Sequence, residues 1–330
     1  MGYNFKNLVF EGGGVKGIAY GGALEVLNNM NLVAAIERVA GTSAGAINAA
    51  MLALGYTSAE VSKIIAETNF KDFEDGNVFS EVVGVTQKYG WYKGDKFKDW
   101  MGKYIKAKTG SANTTFAQLA KLPRTSGFKQ LYVISTNLTR QQPMIFSHEP
   151  AHYPDTPIQD AVRMSMSIPL YFQAVMKDND VWVDGGVSWN YPVNLFDNTA
   201  YVSKPENSQK EDYNTDAGYV FNYETLGFRL DSTKVIEYNK DNWKNEPVVI
   251  NNIKDYAVGL VNFLMEMANK KHLHQNDWNR TIFIDTLDVK TTDFNLSPQK
   301  IQDLLASGRT GVNNYFKWKD NDAVWNKLPV

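Results

Sequence analysis

The chain has 330 residues, 43% of them hydrophobic and 21% charged, with a formal net charge of −2. That length can bury a large core, and so nearly neutral a balance supplies no field to draw in nucleic acid or an anionic bilayer. The absence of cysteine removes disulfides, thiolate zinc sites and a cysteine nucleophile together, and leaves the redox compartment undetermined.

The opening MGYNFKNLVFEGGG lacks the apolar run of about 7 to 15 residues that a secretory signal needs, and Lys6 stands where a myristoylation motif carries Ser or Thr. No window reaches the roughly 18 uninterrupted apolar residues of a membrane span. These features predict a cytoplasmic protein, with peripheral membrane contact or signal-independent export left open.

In chain order, Asn7-Leu8-Val9-Phe10 is a short β-type run ending in Glu11-Gly12-Gly13-Gly14, and from Gly17 the apolar Ile18, Leu24, Leu27 and Met30 fit one side of a helix. Residues 36–40 repeat the design, running through Gly41 to Gly45 into the segment 46–54. That segment is apolar nearly all round, which predicts a buried helix, with Gly55 as its stop. Two strand-loop-helix units predict an α/β fold with a largely parallel sheet, whose ligand sites lie at the carboxyl ends of the strands. Further strands are predicted over 131–135, 144–146, 181–183 and 281–284. Helices are predicted over 58–68, 95–105, 158–164, 253–272 and 298–305. The polar stretch 201–218 reads as a mobile surface loop. No repeat or linker interrupts the chain, so 1–330 is expected to be one domain.

Gly41-Thr42-Ser43-Ala44-Gly45 matches G-x-S-x-G, in which a serine sits on a sharp strand-to-helix turn and needs small neighbours because the backbone is crowded. The following helix aims its N-terminal amides at negative charge forming beside Ser43. Consecutive glycines in Gly12-Gly13-Gly14-Val15-Lys16-Gly17 can turn N–H groups toward one point, so two glycine loops can converge on one carbonyl oxygen. The same loop spells G-x-G-x-x-G through Gly12, Gly14 and Gly17. A dinucleotide site, however, wants an acidic residue at the end of the second strand, where this chain has Ala40 and the serine turn.

For a base, Asp184 follows the β-type run Val181-Trp182-Val183 and precedes Gly185-Gly186, which presents a carboxylate at a strand end with room for close approach. A Ser-Asp-His order through Ser43, Asp184 and His272 or His274 is the alternative. That histidine pair also reads, with Lys270 and Lys271, as the basic end of a helix, and the helix-end reading is preferred.

Together these residues resemble the patatin-like phospholipases, relatives of the catalytic domain of cytosolic phospholipase A2. Four features coincide in order: the glycine loop at 12–17, the serine corner at 41–45, the small-residue and proline segment Ser165-Met166-Ser167-Ile168-Pro169, and Asp184-Gly185-Gly186 followed by Tyr191-Pro192. The resemblance covers about 5–192 and leaves 193–330 as a C-terminal strand and helix extension. Glu11 stands where the family often has Asp. The resemblance implies a three-layer α/β/α fold with a central, mostly parallel sheet. It also implies a Ser43–Asp184 catalytic dyad and an oxyanion hole from Gly12, Gly13, Gly14 and Ala44. Motif support comes from Lys16, Gly17, Gly41, Gly45, Gly185 and Gly186.

The implied activity is phospholipase A-type hydrolysis of acyl esters, with no metal or other cofactor. A soluble carboxylesterase or thioesterase, and a non-catalytic lipid-binding or regulatory protein, are the alternatives. The expected partner is a phospholipid or other acyl lipid. Transient membrane-surface contact and a homo-oligomer stay open, and no nucleic acid is expected. Phe70, Phe73, Phe79, Tyr89, Trp91, Tyr92, Phe97 and Trp100 read equally as a lid or as packing of a helical subdomain. The apolar stripe Ile253, Tyr256, Ala257, Leu260, Leu264, Met267 and Ala268 predicts a core-facing helix, with a surface membrane helix as the lesser reading.

Overall fold

The computed structural model describes residues 3–76, 89–210, 216–232, 250–272 and 275–321. In chain order its strands are β1 (Asn7–Phe10), β2 (Arg38–Thr42), β3 (Gly90–Tyr92), β4 (Gln130–Asn137), β5 (Gln142–Phe146), β6 (Leu170–Phe172), β7 (Val175–Lys177), β8 (Asp180–Asp184), β9 (Ser208–Gln209), β10 (Phe221–Asn222), β11 (Thr225–Asp231) and β12 (Thr281–Asp285). The helices are α1 (Ala19–Asn29), α2 (Ala44–Ala53), α3 (Ser58–Glu67), α4 (Asp95–Thr109), α5 (Phe116–Ala120), α6 (Ile158–Ser165), α7 (Gly186–Trp189), α8 (Ile253–His272) and α9 (Pro298–Asn321).

An eight-stranded sheet in the order β12-β11-β1-β2-β4-β8-β7, with β5 added on β4, is the centre of a three-layer α/β/α arrangement. The five strands from β12 to β4 are parallel, while β5 and β8 run antiparallel to β4 and β7 antiparallel to β8. Strand alternation sorts the core between two faces. Leu8, Phe10, Val39, Leu131 and Val133 point into the large cluster that α1, α2, α3 and α9 complete. Val9, Ala40 and Tyr132 point the other way, onto Tyr191, Val193 and Phe196. All ten residues of α2 are buried, as its apolar character predicts.

One feature of the register governs the site. β2 pairs with β4 up to Thr42↔Ile134, and β8 pairs with β4 from Asp184↔Ser135. β5 occupies β4 over Val133 to Asn137, overlapping both partners, so β2 and β8 share the opposite edge end to end. The carboxyl ends of β2 and β8 therefore meet head-on.

Sequence pattern misses or misjudges several elements. β11 lies between β12 and β1 although it escapes prediction, because Gly227 interrupts its apolar alternation. The Tyr191 hydroxyl occupies that space, 1.9 Å from where a Cβ on Gly227 would be. α9 runs to Asn321 rather than 305, through Gly308 and Gly311, which lower helix propensity but admit close packing. The stripe on α8 is not core-facing. Ile253, Tyr256, Leu260, Leu264 and Met267 are 43–72% exposed, while Val261 and Met265 are buried, because the helix is apolar on more than one side and periodicity cannot choose between them. In the aromatic segment Phe73, Tyr92 and Phe97 are buried, and Phe73, Phe97 and Trp100 pack ring against ring. Phe79 lies outside the described residues. So do 211–215 of the stretch 201–218, of which 208–209 pair with β10. Among the described residues no helix is long and apolar enough to cross a membrane.

Candidate active site

Ser43 connects β2 to α2 with φ 53° and ψ −125°, a conformation that L-residues rarely adopt and that stores on the order of 1–3 kcal/mol. Its surroundings hold it there. The Ser43 N–H donates to Ser165 Oγ at 2.8 Å, and the Ser165 hydroxyl in turn donates to the Ile134 carbonyl at 2.5 Å. The flanking glycines are sterically required: a Cβ on Gly41 would lie 2.3 Å from the Gly45 backbone, and one on Gly45 would lie 2.3 Å from the Phe10 carbonyl oxygen. The corner can form only where β1, β2 and α2 touch backbone to backbone.

The Ser43 hydroxyl donates to Asp184 Oδ2 at 2.7 Å, and Met166 Sδ lies 3.5 Å from Ser43 Oγ. Asp184 Oδ1 accepts the Gly186 N–H at 2.7 Å. Its backbone is fixed from both sides, by N–H donation to the Ser167 carbonyl and by the Thr136 hydroxyl on its own carbonyl, each at 2.9 Å. Burial pushes the Asp184 carboxyl up to about 7, and the bonds from Ser43 and Gly186 pull only part of the way back. A carboxyl tuned to that range holds and releases a proton near neutrality, which suits a general base. Gly185 opens the turn into α7 against the Ile134 carbonyl, beside Thr42.

The glycine loop follows β1. Gly14 has φ 58°, the left-handed region that favours glycine, and opens a short 3-10 turn over Gly14–Ile18. The Gly12 N–H, grouped on sequence with the oxyanion donors, donates instead to the Asn190 carbonyl at 3.1 Å, and the Asn190 side-chain amide donates back to the Gly12 carbonyl at 3.1 Å. Among the described residues no bond occupies the amides of Gly13, Gly14 or Ala44. A Cβ on Gly12 would come 3.1 Å from Ser43 Cβ, so the loop passes directly over the serine. Gly17 packs on Ala44, and its carbonyl accepts from Asn48 at 3.4 Å. The Lys16 stem runs along Gly13.

Glu11, immediately before the loop, is buried. Its Oε2 accepts the Leu230 N–H at 2.7 Å and its Oε1 accepts from Asn190 at 3.3 Å. Burial raises its carboxyl to about 7, against the pull of the Arg229 guanidinium and with a further push from Asp231.

The sequence does not reveal the roles of Asn190, which clamps Gly12, or of Ser165, which clamps Ser43. Ser165 lies within the S-M-S-I-P segment that carries part of the resemblance, whereas Asn190 carries no signal beyond its place before Tyr191-Pro192. Among the described residues no histidine is bonded to Ser43 or Asp184. His152 instead meets Ser147 and Glu149, and His148 packs edge-on against Tyr132. The side chain of His272, and all of His274, lie outside the described residues. Nor does any group of three His, Asp or Glu among the described residues suit a metal ion.

A serine on a strained strand-to-helix turn, bonded to a buried carboxyl and passed closely by a glycine loop, is an arrangement suited to an α/β serine hydrolase. The family comparison narrows that class. Residues 8–197 match the family model described as patatin-like phospholipase, and the chain belongs to that family, a family of lipid hydrolases. It is 31% identical to protein YqhO of Bacillus subtilis over 323 residues, covering 94% of this chain and 97% of that one. It is 30% identical to protein R571 of Acanthamoeba polyphaga mimivirus over 280 residues, covering 82% and 90%. A protein of Invertebrate iridescent virus 6 described as probable lipid hydrolase 463L is 27% identical over 63% of this chain and 68% of its own. In fold it is similar to VipD from Legionella pneumophila, with a TM-score of 0.58 at 16% identity over 95% of this chain and 67% of that one. It is also similar to the type III effector protein ExoU, with a TM-score of 0.51 at 17% identity over 96% and 54%.

Proposed function

We propose that the protein is a lipid acyl hydrolase of phospholipase A type, acting through Ser43 as nucleophile and Asp184 as general base. The observation that carries this reading is the 2.7 Å bond from the Ser43 hydroxyl to a fully buried carboxyl raised to about 7. Asp184 takes the serine proton as Ser43 Oγ attacks the ester carbonyl. The amides of Gly13, Gly14 and Ala44 receive the developing oxyanion, with Gly12 holding the loop through Asn190 rather than donating. As the tetrahedral intermediate collapses, the lysolipid alkoxide leaves with the proton that Asp184 accepted. Asp184, again a carboxylate, then removes a proton from water, whose attack on the acyl-enzyme releases a fatty acid and frees Ser43.

Family membership supports a lipid ester as substrate, as does the name of the viral relative 463L. We read 1–330 as one domain, because β11 and β12 from beyond residue 192 complete the sheet that carries the site. The test is a fluorophosphonate ester probe combined with mass spectrometry of products from a phospholipid mixture. Ser43 is expected to carry the label, and free fatty acid with lysophospholipid to accumulate. Labelling that persists in Ser43→Ala would overturn the assignment.

A further inference from the structure

Neither member of the proposed dyad meets solvent: Ser43 is 1% exposed and Asp184 0%. Helix α8 packs against α7, the short helix that follows the aspartate turn, and against β6. On its inner side Val261 and Met265 are buried, and Met265 Cε stands 2.1 Å from where a Cβ on Gly186 would be, two residues from Asp184.

The outer side of the same helix faces water with the wrong chemistry for water. Ile253, Tyr256, Leu260, Phe263, Leu264 and Met267 are each 43–72% exposed. They fall at helical spacing over a length of about 21 Å. Of the thirteen exposed large apolar residues among the described residues, six lie on α8, so the concentration on one element is far from the scattered exposure of an ordinary surface.

Continuity with the candidate site decides the occupant. The inner side chains of α8 cover the aspartate turn and its outer side chains are bare, so an object bound to the outer face sits one helix diameter, roughly 10 Å, from the turn that carries Asp184. An assembled lipid surface both satisfies six bare apolar side chains and delivers an acyl ester to that position. Among the described residues no helix is long and apolar enough to cross a bilayer, and a helix with one bare apolar face would meet a lipid surface lengthwise.

We propose that the outer face of α8, from Ile253 to Met267, docks the protein on an acyl-lipid surface, and that α8 is thereby the element between that surface and the Ser43–Asp184 pair. The choice of lipid rests on the lipid-hydrolase reading, but docking itself needs no catalysis and is measured without it.

The native chain has no cysteine, so a single introduced thiol reports on one place. In a Ser43→Ala background that leaves lipids intact, Leu264→Cys carries an environment-sensitive fluorophore. A control carries it at Tyr223→Cys, exposed before β11 and so at the opposite end of the parallel strands from the serine. With vesicles of phosphatidylcholine and phosphatidylglycerol, the probe at 264 is expected to shift to the blue and that at 223 to stay unchanged. Leu260→Ser with Phe263→Ser is expected to lower vesicle cosedimentation at least tenfold in protein that still unfolds cooperatively.

Absence of vesicle binding by the Ser43→Ala protein overturns the proposal, and so does a shift at 223 without one at 264. If the double substitution converts a dimer to a monomer while vesicle binding persists, the face joins two copies of the chain and the proposal is likewise overturned. Failure of the hydrolase reading would appear instead as vesicle binding by a protein whose native form releases no fatty acid.

Discussion

The Ser43 hydroxyl and the Asp184 carboxyl stand 2.7 Å apart across 141 positions of sequence because β2 and β8 end against consecutive residues of β4, Ile134 and Ser135. Neither side chain has to reach for the other, since the sheet register delivers both. Asp184→Asn keeps the shape and removes the base, so the protein should fold while kcat/KM on a soluble ester falls on the order of 10³-fold to 10⁴-fold. Activity within tenfold of the native chain would remove Asp184 from the proposed mechanism.

The buried carboxyl also sets a pH dependence whose sign follows from its role. Asp184 accepts a proton only when ionised, so kcat/KM should be low in acid, rise through about pH 7 and level off above it. Stability runs the other way. The carboxyl moves from 3.8 to about 7 on folding, so the fold is favoured most below about 4 and loses that advantage as pH rises through 7. Asp184→Asn should therefore raise the unfolding midpoint more at pH 8 than at pH 4. Glu11, also raised to about 7, titrates over the same range, and Glu11→Gln separates the two. The activity rise should survive in that variant if Asp184 is its source, and a lost or displaced rise would assign the limb to Glu11.

The elements at 7–10, 36–40 and 46–54, and the tight corners that carry Ser43 and Asp184, are legible because steric need leaves a mark in local sequence. Gly41 and Gly45 are small since Phe10 and Gly45 backbone atoms fill the space, and that requirement is written within five residues. What joins Ser43 to Asp184 is not written locally, because no periodicity reports which strand pairs with which edge of β4. The engagement of the Gly12 amide is hidden for a related reason: its partner, the Asn190 carbonyl, comes from a segment 178 positions away. The orientation of α8 is not legible, because a helix apolar on two sides gives one periodic signal for more than one orientation.

Ser165 makes a third prediction. Its hydroxyl accepts from the Ser43 N–H and donates to the Ile134 carbonyl, so Ser165→Ala leaves one buried donor and one buried acceptor without it. Each orphaned group costs about 1–3 kcal/mol, and denaturant unfolding should register a loss of about 2 kcal/mol or more. The serine turn would also lose the bond that holds its positive φ, so kcat on a soluble ester should fall more than KM changes. Unchanged kcat would show that Gly41 and Gly45 packing alone maintains the corner.

A fourth prediction tests whether packing far from the serine supports the glycine loop. Gly308 lies in the middle of α9, where alanine is normally better by about 1 kcal/mol. Here a Cβ would stand 1.9 Å from the carbonyl oxygen of Ala19, a backbone atom at the start of α1 that no rotamer change can move aside. Overpacking of this kind costs about 1–3 kcal/mol or more, so Gly308→Ala should destabilise despite its higher helix propensity. Gly110, at the end of α4, supplies the contrast. It has φ +85° and nothing within 4 Å of an added Cβ, so Gly110→Ala meets only backbone strain, of about 1–2 kcal/mol. The two variants should also part in activity. Ala19 directly follows the 3-10 turn that carries Gly14 and Gly17, and pushing α1 away from α9 moves the proposed oxyanion amides relative to Ser43. Gly308→Ala is expected to lower kcat on a soluble ester at temperatures where it remains folded, and Gly110→Ala to leave kcat as it was. Equal kcat in the two variants would show that the glycine loop is held by its own bonds, the Gly12 N–H on the Asn190 carbonyl and the Val15 N–H on the Thr291 carbonyl, each at 3.1 Å, independently of the packing between α1 and α9.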